Sequence, residues 1–196
     1  EITCRDWSSD VGSSDLIAML DALAAPFGTV KFMPTGGIDL SNVGRYAAHP
    51  SVLAAGGSWM VKPDLIESEQ WDVVGALCSE AVAAVHGFSL AHVGINHADS
   101  GAAAGTAGLL ASLGFKLKEG ASSIFAGESF ELMKSPFRGA CGHIALRCNS
   151  VERALAFFEG RGSKGVQETA KQEKGRLKAI YLDLELGGFA VHLVRA

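Results

Sequence analysis

Leu16, Ile17, Leu20 and Leu23 follow a helical period and predict a helix from about Asp15, with Ser13, Ser14 or Asp15 able to cap its start. The apolar run "TVKFMPTGGI" then predicts a short strand, Val30 to Met33, stopped by Pro34 and a glycine turn. A helix near Asp39 to Ala48 is expected next, followed by a second buried strand in "SVLAAGGSW", again closed by two glycines. Val74, Leu77, Cys78, Ala81 and Val85 form one apolar stripe and predict a long helix over about Trp71 to Val85. Strand, helix, strand, helix in this order is a parallel α/β segment. Two parallel strands cannot make a core alone, so the segment reads as a piece of a larger sheet.

Gly87 to Ser89 marks a boundary, beyond which the pattern changes. "LAHVGIN" reads as a strand, "SGAAAGTAGLLASLGF" as a helix ending near Gly114, and "FKLKEG", "SSIFAG" and "SFELMKS" as three short strands. The order then recurs. "GHIALRCN" is a strand, "SVERALAFFEGRG" a capped helix, and strands follow near Gly165 to Glu168, Leu177 to Leu184 and Phe189 to Arg195. Strand, helix and three strands thus occur twice, in copies of about 50 residues each. Such a duplication predicts two half-sheets around a shared cleft.

Composition narrows the class. The chain has 196 residues, 48% of them apolar, enough for a sizeable core in one medium or two small domains. A net charge of -4, with both signs dispersed, provides no basic stripe for a phosphate backbone, so nucleic acid is excluded as an expected partner. No apolar run approaches the roughly 20 residues that cross a bilayer, and the N-terminal residues show no signal pattern, so the chain reads as cytoplasmic with no membrane partner. Cys4, Cys78, Cys141 and Cys148 show no CxxC spacing and read as free thiols.

The repeat brings chemistry with it. Its first strands open alike, with His92 in "HVGIN" and His143 in "HIALR", and its last strands carry Glu131 in "FELM" and His192 in "VHLV". Strand alternation sets His92 opposite Ala91, Val93 and Ile95, and His143 opposite Ile144, Leu146 and Cys148. Glu131 likewise opposes Phe130 and Leu132, and His192 opposes Val191 and Leu193. All four are therefore expected on the face away from the covering helices. A lone histidine at a strand start is more often structural than a ligand. Three imidazoles and one carboxylate at repeat-equivalent places instead suit a divalent transition metal, zinc, nickel, iron or manganese. Asn96 and Arg147, four residues beyond His92 and His143, are expected on the same faces, where they could contact an anionic substrate. His49, His86 and His97 lack such partners and read as surface or capping residues.

This layout, over about Ser89 to Ala196, resembles the vicinal oxygen chelate superfamily of glyoxalase I, extradiol dioxygenases and bleomycin-resistance proteins. The resemblance implies that His92, Glu131, His143 and His192 are metal ligands in a cleft open to substrate, the metal acting as a Lewis acid. His192 departs from the glutamate usual in glyoxalase-like members, which puts a step using that carboxylate as base in doubt. A non-catalytic binding module of the resistance type, or a module that mainly drives association, fits the same pattern.

In the first half, "FMPTGGIDLSNVGRYAAHPSVLAAGGSWMVKPD" resembles the last two strand and helix units of the aldolases that cleave 2-keto-3-deoxy-6-phosphogluconate and 4-hydroxy-2-oxoglutarate, a class I, Schiff-base family on a TIM barrel. The resemblance implies phosphate-binding turns at Gly36, Gly37, Gly57 and Ser58, where glycines at strand ends let backbone N–H groups approach phosphate oxygens. Tight turns before helices would explain one such pair. The family's imine-forming lysine and proton-moving glutamate lie on strands upstream of "PTGGI". Lys31 superficially matches the lysine strand, but the following "TGGI" identifies the next one, and no aldolase turnover is expected from this chain.

The resulting fold class is α/β plus α+β: a partial (β/α)8 barrel at residues 17–87, then a duplicated βαβββ chelate-type domain at residues 88–196. The expected ligands are a small keto acid or sugar acid phosphate and a divalent metal. A homo-oligomer is expected because a partial barrel exposes apolar edges. Residues 1–16 fit neither half. "DWSSDVGSSDL" resembles the translation of a DNA-library adapter, "DWSSDVCSSDL", with Gly12 in place of a cysteine, and reads as a non-native or disordered leader.

Overall fold

The computed structural model describes the backbone of residues 13–196 and the side chains of residues 17–196. The expected leader, apart from the backbone of its last four residues, lies outside these, as do the side chains expected to cap the first helix. The described residues divide into two compact units, one up to Gly87 and the other Phe88–Ala196.

The first unit carries helices α1 (Ser13–Ala24), α2 (Val43–Ala48), α3 (Pro63–Glu67) and α4 (Trp71–His86). The two expected strands are reduced to parallel bridges, Phe32 with Val52 and Thr35 with Gly56. Their ladder is regular while it lasts: Phe32 N–H donates to Ser51 O at 2.7 Å, Leu53 N–H to Phe32 O at 2.9 Å and Gly56 N–H to Pro34 O at 2.9 Å. Pro34, which has no N–H to give, and the glycine turns cut it short. Helix α2 starts at Val43 rather than Asp39 because the intervening residues fold into side-chain turns. Asp39 Oδ1 accepts from Ser41 N–H at 2.8 Å, and Asn42 Oδ1 accepts from Asp39 N–H at 3.0 Å. The short α3 was not expected; Pro63 stands at its first position, where a missing N–H costs nothing. Leu20, Ile38, Val43, Tyr46 and Val52 form the core of this unit. Phe27, Met33, Leu53 and Trp71 are each more than half exposed.

The second unit contains β1 (Ser89–Asn96), α5 (Ser100–Ser112), β2 (Leu117–Glu119), β3 (Ser123–Ala126) and β4 (Phe130–Met133), followed by β5 (Gly142–Cys148), α6 (Val151–Glu159), β6 (Gly165–Glu173), β7 (Arg176–Leu186) and β8 (Phe189–Arg195). All eight strands join one mixed sheet in the order β2-β3-β4-β1-β5-β8-β7-β6. Each half runs strand, helix, three strands, and its first strand pairs in parallel with its last. The first strands of the two halves, β1 and β5, pair antiparallel at the centre. Strands β6 and β7 are longer than expected, because the polar "QETAKQE" carries no apolar alternation to announce a strand. Lys174 (φ 51°) and Gly175 (φ 73°) close their hairpin in the left-handed conformation that tight two-residue turns require.

The helices cover one face of this sheet. Helix α5 is capped by Asp99, whose Oδ1 accepts from Ala102 N–H at 2.8 Å, and it brings Ala103 and Ala107 onto Ile124 and Leu132. Its small residues allow close approach to the sheet. Helix α6 is capped by Ser150, whose Oγ accepts from Arg153 N–H at 3.2 Å, and it lays Val151 and Ala154 onto Cys148, Ile180, Val191 and Leu193. With apolar side chains spent on that face, the alternate positions of the central strands point the other way.

Candidate functional site

Those alternate positions bring the four candidate donors together. Strand pairing aligns His92 with Ala145, and Ala145 with His192, in one row; the next row aligns Glu131 with Gly94, Gly94 with His143, and His143 with Ala190. Histidines and small residues therefore alternate in both directions across the central strands. The small residues make the room. A Cβ on Gly94 would lie 2.0 Å from His143 Cε1, so the imidazole occupies the space that a side chain there would fill.

The donor atoms converge. His92 Nε2 and His143 Nε2 lie 3.2 Å apart, and each lies 3.1 Å from Glu131 Oε2. One ring nitrogen each from His92, His143 and His192 could serve as a ligand atom, and these all fall within 4.8 Å of one another. Neighbouring donors on one divalent ion, each about 2.0–2.2 Å from it, are separated by roughly 3.0–3.5 Å. The His92, His143 and Glu131 contacts match that spacing, and His192 is the looser member. His192 Nε2 is buried without a hydrogen-bond partner among the described residues, an orphaned donor atom of the kind a ligand completes. Protons on both Nε2 atoms would satisfy Glu131 but set His92 against His143 donor to donor, whereas one shared cation satisfies all three contacts. The residues fit a divalent metal.

Electrostatics follow from this crowding. Burial opposes the charged form of Glu131, but hydrogen bonds from His143, His92 and Ser123 outweigh it and hold the carboxyl well below the usual carboxylate range. Burial, then the neighbouring imidazoles of His143 and His92, push His192 down to about 3. Tyr181, opposite His192 on β7, stacks on its ring with centroids 4.6 Å apart and planes 18° from parallel. Burial and the Glu131 charge push the Tyr181 phenol up to about 12, so it remains protonated at neutral pH.

Asn96 lies at the end of β1, but its side chain is engaged. Its Nδ2 donates to Gly139 O at 2.9 Å and its Oδ1 accepts from Phe137 N–H at 3.2 Å, which fixes the β4–β5 connection. That connection brings Phe137 edge-on to Tyr181, centroids 5.6 Å apart. Arg147 is exposed on β5 opposite Ser89.

In the first unit, the Thr35–Gly56 bridge sets the two glycine turns side by side. Gly36 (φ 78°) and Gly37 (φ 65°) need the left-handed conformation. Gly57 is a glycine for another reason, since a Cβ there would lie 2.0 Å from the Trp59 ring. Gly36, Gly37, Gly57 and Ser58 are all exposed. Lys31 is exposed as well, and its Nζ donates to Pro50 O at 3.1 Å. The remaining histidines are less superficial than expected. His49 is buried, its Nε2 3.0 Å from Asp21 Oδ1 and its Nδ1 accepting from Ser51 N–H at 3.1 Å. His86 is buried at the end of α4. His97 bridges Ile95 O and Thr106 Oγ1 at 3.1 and 2.8 Å.

Sequence reasoning missed the supporting residues Gly94, Ala145, Ala190, Ser123 and Tyr181. A signal for the first three exists in "HVG", "HIA" and "AVH", where each histidine has a small residue two positions away on the same face.

Comparison with known proteins bears on the first unit. A family model described as KDPG and KHG aldolase matches residues 11–77. The 2-dehydro-3-deoxy-phosphogluconate aldolase of Dickeya dadantii is 51% identical over 67 residues, 34% of this chain and 32% of that protein. The same enzyme of Haemophilus influenzae is 44% identical over 66 residues, and the KHG/KDPG aldolase of Escherichia coli K12 46% over 66, each covering 34% of this chain and 31% of its relative. The chain thus spans about a third of the length of the curated relatives it matches. Among solved structures, a hypothetical protein from Bacillus halodurans C-125 superposes with a TM-score of 0.40 at 19% identity, over 56% of this chain and 94% of that one. No helix among the described residues is long and apolar enough to cross a membrane.

Proposed function

We propose that this chain joins an aldolase-type phosphate-binding segment, residues 17–87, to a metal-binding domain of the vicinal oxygen chelate type, residues 88–196, which takes a small keto acid or sugar acid phosphate. The observation that supports the second assignment is the convergence of His92, His143 and His192, with Glu131 against the first two, from equivalent register positions of two like halves. A divalent ion held by these four residues supplies Lewis acidity toward a chelating oxygen ligand when bound. The protein's own part is to hold the donors on rigid strands, to keep the Tyr181 phenol protonated beside them, and to shield the far face with α5 and α6.

The aldolase-type segment is supported by the family match and by the paired glycine turns. Its role is to receive a phosphate on exposed backbone N–H groups around Gly36, Gly37, Gly57 and Ser58. The exposed Phe27, Met33, Leu53 and Trp71 support self-association of the chain as a homo-oligomer.

A second reading, a binding module without turnover, is favoured by one observation. Glu131 is the one carboxylate among the four donors and would be taken up as a ligand, and the Tyr181 phenol stacked on His192 is pushed up to about 12, so the quartet would offer no free base. Metal analysis after dialysis, followed by titration with zinc, nickel, manganese and ferrous ions, tests the metal assignment. One divalent ion per chain is expected, lost in His143→Ala; failure of every ion to bind would sink it. Ligand binding retained with no product formed would select the second reading.

A further inference from the structure

Around the four donors the registers of the two halves correspond, which exposes where they differ. Glu131 faces Phe125 across β3–β4, and His192 faces Tyr181 across β7–β8. Two residues before those partners, Ser123 faces Met133 and Ala179 faces Val194. Ser123 and Ala179 are therefore equivalent positions, and only the half whose donor is a carboxylate carries a hydroxyl there. Ser123 is buried, at 4% exposure, and its Oγ donates to Glu131 Oε1 at 2.7 Å. The other oxygen, Oε2, is the one aimed at His92 and His143. The imidazole of His192 has no second oxygen to restrain, and its half supplies a stacked Tyr181 instead.

We propose that Ser123 is a positioning residue that commits Glu131 to one-oxygen coordination. Its hydroxyl occupies Oε1 and leaves Oε2, the oxygen beside His92 and His143, as the one a metal held by the imidazoles would take. This rests on reading the quartet as a metal site. A carboxylate free to rotate could ligate through both oxygens and take up a further coordination position. Ser123 limits that freedom without touching the metal.

Cobalt(II) substitution of the full chain provides the test, because the visible d–d bands of cobalt weaken as its coordination number rises. Wild type is expected to show the stronger bands of low coordination. Ser123→Ala places in the first half the residue that the second half already holds at position 179, and circular dichroism should show it folded. Its bands are expected to weaken, with cobalt affinity within about tenfold of wild type. Ser123→Thr, which keeps the hydroxyl, should restore the wild-type spectrum. A Ser123→Ala spectrum identical to wild type overturns the proposal, as does a folded Ser123→Ala protein that binds no cobalt, since the hydroxyl would then do more than limit the carboxylate. Wild type that binds no cobalt overturns the metal assignment itself, and this inference with it.

Discussion

The His143 imidazole lies over Gly94, its register partner on β1, so closely that a Cβ on Gly94 would come within 2.0 Å of His143 Cε1. The ring is buried and cannot retreat through the sheet, so Gly94→Ala must turn it away from Glu131 and His92. We expect this single methyl to cost about 1–3 kcal/mol of stability by overpacking. Divalent metal affinity should fall by at least about tenfold, since the donor set loses its alignment. Calorimetric metal titration beside urea unfolding measures both; unchanged affinity in a folded Gly94→Ala protein would show that the ring has space the structure does not provide.

His192 makes the metal-free chain acid-sensitive. Its folded value of about 3 lies below the ordinary 6.5, so the unfolded chain binds more protons at every pH between the two. The contribution to stability is therefore complete above about 6.5 and lost progressively as the pH falls toward 3. Urea midpoints of the metal-free chain should drop across that window, and His192→Asn should flatten the decline. Added metal should steepen it, because protons and metal compete for the same nitrogens. A midpoint constant from neutrality down to pH 4 would contradict the burial of this imidazole.

Much of this arrangement is legible in the sequence. "HVGIN" and "HIALR" start alike because they occupy equivalent places in two halves of one sheet, and period-two alternation placed their histidines on the uncovered face. Asn96 shows the limit of the same rule: alternation sets it near the donors, but its amide is spent on Gly139 and Phe137, a contact 41 or more residues away in sequence. Ser123 was invisible for a similar reason, since the hydroxyl acquires its meaning only through the β3–β4 register. Strand β6, at the edge of the sheet, ran past its expected end because an edge strand tolerates polar residues on both faces, and β7 extended with it as its hairpin partner. In the first unit the glycine turns were legible from the sequence, but the strands between them shrank to single bridges once Pro34 withdrew a donor.

Thiol chemistry should divide the cysteines. Cys78 and Cys141 are exposed, whereas Cys148 is buried beneath α6, where burial first and the charge of Glu152 second push its thiol up to about 11. Thiolate is the reactive form, so Cys148 combines poor access with little nucleophile near neutral pH. Iodoacetamide at pH 8, followed by peptide mass spectrometry, should label Cys78 and Cys141 within minutes and Cys148 only as the second unit opens. Labelling of Cys148 at a rate equal to that of Cys78 would show that α6 does not cover the sheet in solution.

Pyruvate should leave no trappable imine on this chain. Imine formation needs a lysine whose amine is freed of its proton by a dry pocket or a cationic neighbour. Lys31 is exposed rather than enclosed in a pocket, and its Nζ donates to Pro50 O at 3.1 Å. The proposed phosphate-binding turns do not include that lysine, so ligand binding and imine chemistry separate in one experiment. Incubation with pyruvate and borohydride is expected to give an unmodified intact mass, while inorganic phosphate shifts the amide NMR signals of Gly36, Gly37, Gly57 and Ser58. A reduced pyruvate adduct at Lys31 would overturn the first expectation, and amide signals unmoved by millimolar phosphate would overturn the second.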